Sequence, residues 1–100
     1  MNEKEFKNQL ATGIKNISLA ASSDFTPIEK EKLISMVNFL YNQILIAKFP
    51  IEIQPYNEAF KSILNGEIQF YKLNVINLMS AFRVKLGNKV SNVAIVNFRH

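Results

Sequence analysis

The stretch TPIEKEKLISMVNFLYNQILIAKF, Thr26 to Phe49, decides the fold. Thr26 offers an N-cap hydroxyl, Pro27 a first helical residue with φ already set, and Glu29 the carboxylate of a capping box. Phe49 precedes Pro50, and a residue before proline is pushed out of the helical region, so the spacing predicts one long helix over 27–49. From Leu33 to Ala47 no side chain is charged. Leu33, Ile34, Met36, Val37, Leu40, Tyr41, Ile44, Leu45 and Ala47 take up about half the circumference and are expected to be buried. Ser35, Asn38, Asn42 and Gln43 share the opposite half with Phe39 and Ile46, a side that is polar without being charged.

Shorter helices are expected around this one. Phe6, Leu10, Ile14, Ile17 and Ala21 follow steps of four, four, three and four, an amphipathic helix over about 3–21 in which Gly13 costs about 1 kcal/mol relative to alanine. Ser22 to Phe25 form a connection short enough to make the first two helices antiparallel. Ile51 and Ile53 alternate in an extended connector between Pro50 and Pro55. A third helix over 55–65 buries Tyr56, Ala59, Phe60, Ile63 and Leu64 and stops at Gly66. Glu67 to Leu73 is a linker expected to pin Ile68 and Phe70 in the core. Asn74 caps a fourth helix over 74–86 that buries Val75, Leu78, Met79, Phe82 and Leu86 and ends at Gly87. The tail 88–100 is rich in β-branched residues, and its pattern fits a strand, a helix or an arm equally. The expected fold is all-α, a single small four-helix domain around a long central helix.

One hundred residues without a cysteine can bury enough surface to fold without disulfides or metal, and the composition excludes thiol nucleophiles and cysteine metal sites. No apolar run approaches the roughly 18 residues of a membrane span and the first residues are polar, so a cytoplasmic protein with no membrane contact is expected. Catalytic constellations are missing. The one histidine is the terminal His100, the glycines are isolated, and Glu3 with Glu5 and Glu29 with Glu31 sit where helix first turns favour carboxylates. No catalytic residue, metal ligand or cofactor site is read from the chain, and a non-enzyme is expected.

The net charge of +4 is uneven. All eight acidic residues lie at or before Glu67, whereas Lys72, Arg83, Lys85, Lys89 and Arg99 follow it with no carboxylate among them. Such asymmetry points to a polyanionic partner. A helix-turn-helix needs a connection of three or four residues, and the predicted linker after Gly66 is longer, although Asn74, Asn77 and Arg83 are side chains a recognition helix could use.

The run Tyr56-Asn-Glu-Ala59-Phe60, Leu64-Asn65-Gly66-Glu67-Ile68, Tyr71, Leu73-Asn74 and Leu78 to Phe82 resembles the C-terminal half of short helical proteins carried by phages and mobile elements of Bacteroidetes. The resemblance implies a phage or mobile-element origin and carries over no functional residue. Two binding functions are expected to compete. In the preferred one, Lys72, Arg83, Lys85, Lys89 and Arg99 contact nucleic-acid phosphates with little sequence preference. In the other, the uncharged side of the central helix, with Phe39, Asn42, Gln43 and Ile46, joins a homodimer or blocks a host protein such as a defence nuclease or replication factor.

Overall fold

The computed structural model of the chain describes residues 2–20, 28–69 and 72–87. Four α-helices and no strand lie among them: α1 (Glu3–Leu19), α2 (Lys30–Ile46), α3 (Gln54–Leu64) and α4 (Val75–Leu86). α1 packs on α2 and α3, and α4 packs on the same two. The helices therefore form a ring in the order α1, α2, α4, α3, with α2 and α3 on a diagonal.

That diagonal explains the composition of the connector 47–53. A chain crossing from α2 to α3 must pass the end of the core, and it does so with Phe49 buried and Ile51 and Ile53 packed against the core from its edge. Tyr56, fully buried at the start of α3, donates its hydroxyl to the Pro50 carbonyl at 2.6 Å and ties the crossing to the helix that follows.

α2 ends earlier than Pro50 requires. Its last helical residue is Ile46, and Lys48 adopts φ 57°, the left-handed region usually left to glycine. The Lys48 N–H donates to Leu45 O at 3.1 Å and the Phe49 N–H to Ile44 O at 3.1 Å, the two bonds of a Schellman motif. Phe49 and Ile44, both buried, supply the apolar contact that accompanies it. α3 closes in the same way around Gly66 (φ 79°), with Gly66 N–H on Ile63 O and Glu67 N–H on Ser62 O. At the other end α2 begins at Lys30 with Glu29 as a cap residue whose side chain makes no capping bond, and the expected cap Thr26 lies outside the described residues.

The other termini follow local chemistry. Asn2 accepts from the Glu5 N–H at 2.8 Å and its amide reaches the Glu5 carboxylate at 3.4 Å, a cap just ahead of the expected helix start at Glu3. α1 stops at Leu19, with Ala20 extended, so it is shorter than the 3–21 read from the stripe. Asn74 caps α4 as expected, accepting from the Asn77 N–H at 2.9 Å. Gly87 ends α4 in right-handed rather than left-handed conformation. Ile68 is half-buried and takes no part in the core, while Phe70 and the tail 88–100 lie outside the described residues.

Five rings join the four helices through edge-to-face contacts. Tyr41 of α2 meets Phe6 of α1, Phe6 meets Tyr56 of α3, and Tyr56 and Phe60 of α3 both meet Phe82 of α4, with centroids 4.8 to 5.7 Å apart. This is the range in which aromatic pairs add about 0.5–1.5 kcal/mol beyond area burial. Leu10, Ile14, Ile17, Leu40, Ile44, Leu78, Met79 and Leu86 fill the space around them with almost no exposure. No buried side-chain polar atom among the described residues lacks a hydrogen-bond partner.

Candidate binding surfaces

The apolar arc of α2 is narrower than its sequence suggests. Val37, Leu40, Tyr41 and Ile44 are buried and Leu33, Met36 and Ala47 are partly covered. Ile34 and Leu45, expected in the core, are 50% and 48% exposed. At 100° per residue they stand at one margin of the arc, beside the groove between α1 and α2 in the case of Ile34.

On the far side, Phe39 is 55% and Ile46 73% exposed, so α4 does not cover them. Seven residues apart, they lie within about 20° of each other around the axis. Asn42 is exposed between them and Ser35 extends the same stripe, while Gln43, one position on, is partly covered. No ionisable group lies on this stripe. Surface helices ordinarily carry charge on the face turned from the core. What such a side can do chemically is bury apolar area against another surface and exchange amide hydrogen bonds, with little dependence on salt or pH.

α4 adds two residues that periodicity left unassigned. Ile76 and Val84 are 76% and 67% exposed and fall outside the Val75, Leu78, Met79, Phe82, Leu86 stripe, which was the available signal. A groove of about 340 Å³ also runs between α1 and α2, with Ala11, Leu33, Ile34 and Val37 on its floor and Lys4 and Lys7 at its rim. Lys7 is engaged there: its ammonium is 3.2 Å from the Glu3 carboxylate and 5.0 Å from the Tyr41 ring centroid.

Among the described residues, the basic side chains of α4 do not converge. Lys72 is exposed in the connection before α4. Arg83 and Lys85 are two positions apart on a helix and so project about 160° apart, neither fully exposed. The Lys85 ammonium lies 3.9 Å from the Glu67 carboxylate, back towards the turn that ends α3. Lys89 and Arg99 lie outside the described residues. The asparagines proposed for base contacts have other work, because Asn74 caps α4 and the Asn77 amide donates to the Lys72 carbonyl at 2.6 Å. α3 and α4 are joined by ten residues, Asn65 to Asn74, more than a helix-turn-helix uses.

Tyr56 is the one described group whose ionisation is clearly perturbed: burial pushes its phenol well above the usual tyrosine range. It lies in the core, bonded to Pro50, and serves the fold. No cluster of potential metal ligands occurs among the described residues, and no described helix is long and apolar enough to cross a membrane. No family model, curated protein or solved structure matches the chain.

Proposed function

We propose that this chain is a non-catalytic accessory protein, of the kind phages and mobile elements carry, that works by binding protein through the uncharged side of α2. The observation that carries this reading is the exposure of Phe39 and Ile46 on a helix side without a charge. Exposing large apolar groups is costly, and fully burying each is worth about 1.5–3 kcal/mol. The competing nucleic-acid reading draws on the basic C-terminal third. Its support is weaker, because Arg83 and Lys85 diverge and Lys85 faces Glu67.

The two readings respond oppositely to salt. Phosphate contacts release counterions, so the five basic residues would bind duplex DNA with a log-log slope no steeper than about −4.5. Association through α2 is expected to persist as salt rises, to survive nuclease treatment of a bacterial lysate, and to be lost in the double variant Phe39→Lys, Ile46→Lys. Replacing Lys72, Arg83, Lys85, Lys89 and Arg99 by Gln should leave it unchanged. The reading falls if the double lysine variant associates as the parent does while the Gln variant does not.

A further inference from the structure

The groove between α1 and α2 lies apart from the side that carries Phe39 and Ile46. Its α2 residues Leu33, Ile34, Val37 and Asn38 stand at least about 80° around the axis from those two. The two ends of the groove differ in chemistry. Phe6 and Lys7 both meet Tyr41, so the first turns of α1, with Glu3, Lys4 and Lys7, stand at the end that Asn38 marks on α2. From Lys4 the groove follows α1 to Ala11, about 10 Å at 1.5 Å per residue, over a floor of aliphatic side chains. Its volume of about 340 Å³ falls among small-molecule sites, roughly 300–1,000 Å³, which share its mostly apolar lining and few polar groups.

The charges at the polar end do not cancel. Lys7 is held by the Glu3 carboxylate and the Tyr41 ring, while Lys4 is exposed and makes no ion pair among the described residues. One net positive charge therefore stands at the mouth of an apolar groove. We propose that this groove binds a free aliphatic monocarboxylate of medium chain length, its carboxylate at Lys4 and its chain over Ala11, Leu33 and Ile34. The exposed amides of Asn8 and Asn38 supply N–H donors for the carboxylate oxygens. Glu3 opposes anions, but Lys7 already meets its charge, so a single negative charge is accepted and the double charge of a phosphate monoester is not. A cationic amphiphile faces two ammonium groups and is refused. Most of the affinity comes from the chain, since a buried methylene is worth up to about fourfold and an exposed ion pair only a few-fold in all. A groove about 10 Å long takes the free acid rather than a lipid of a bilayer.

Titrating the isotope-labelled protein with decanoate below its micelle concentration, followed by amide shifts, tests the site. The shifts should saturate and stay within residues 3–11 and 33–38. Affinity should rise about two- to fourfold per methylene from hexanoate to decanoate, and decyltrimethylammonium should bind much more weakly. Lys4→Gln should weaken decanoate about threefold, and Ile34→Ala by at least as much, each with the helical signal of the parent. Leu45→Ala, half exposed on the same helix but outside the groove, should bind decanoate as the parent does. So should Phe39→Lys, Ile46→Lys, which separates this site from the protein-binding side. Shifts that never saturate, or that spread to Phe39, Ile46 and Ile76, overturn the proposal as adsorption to any exposed apolar group. It also falls if decyltrimethylammonium matches decanoate, or if Ile34→Ala binds no more weakly than Leu45→Ala. Sedimentation with phosphatidylglycerol vesicles, without binding of free decanoate, would overturn it in favour of a lipid surface.

Discussion

Gly13 of α1 and Phe60 of α3 meet with no room for a methyl group between them: a Cβ on Gly13 would lie 2.8 Å from Phe60 Cγ and closer still to Cδ2 and Cε2. The ring is buried and held edge-on by Phe82, so it cannot simply swing away. Gly13→Ala should therefore destabilise by about 1–3 kcal/mol, the range for overpacking, although alanine is the better helix former by about 1 kcal/mol. Urea denaturation of Gly13→Ala, Phe60→Leu and the double variant checks this, since the smaller side chain should recover part of the loss. A stabilised Gly13→Ala would show that α1 and α3 do not approach as described.

Lys48 and Gly66 occupy the same position in two helix endings and should respond in opposite directions. A left-handed residue with a side chain costs about 1–2 kcal/mol, so Lys48→Gly should raise stability by roughly 1 kcal/mol and Gly66→Ala lower it by a similar amount. Nothing lies within 4 Å of a Cβ at Gly66, so the loss there measures backbone strain alone. Denaturation midpoints at constant m-value decide both.

Leu40→Ala and Ile44→Ala should each cost about 2–5 kcal/mol, because both side chains are wholly buried. Ile34→Ala and Leu45→Ala should stay within about 1 kcal/mol, since each is half exposed on the same helix. Equal losses in thermal melts of the four variants would place α1 differently against α2.

Tyr56 sets an alkaline limit. Its folded-state pKa is raised above the unfolded value of about 10, so its contribution is full below pH 10 and is lost as pH rises towards the folded value. Melting temperature should fall above about pH 10, and Tyr56→Phe should reduce that fall while costing about 1 kcal/mol at neutral pH for the lost bond to Pro50. A variant with an alkaline profile parallel to the parent's would assign the fall to other groups.

The helices and most of the core were legible because steps of three and four mark a buried stripe wherever one side of a helix is covered. Phe6, Leu10, Ile14 and Ile17 were read this way and are buried. Periodicity gives the direction of a stripe but not its width, and Ile34 and Leu45, at one margin of the α2 arc, are half exposed. The end of α2 was hidden because Lys48 sits in the conformation for which glycine is the usual signal. Gly13 read as a weak point in a helix, since its reason is a contact with a residue 47 positions later. Phe39 and Ile46 stood out as the surface to watch because charge is missing around them, a pattern visible in the sequence itself. For Asn74 and Asn77, one residue type serves caps and base edges alike, and only the structure shows which bonds are made.

The chain of rings from Tyr41 to Phe60 also bears on how the protein leaves the ribosome. Phe6 is made before the rest of the ring chain, since one of its two ring partners, Tyr56, is in the third helix and the next ring along, Phe82, is in the fourth. A nascent chain holding only α1 and α2 has Phe6 and Tyr41 but none of the three rings of α3 and α4 that they stack towards. Synthesis at about 5–20 residues per second leaves that surface uncovered for seconds while α3 and α4 are made.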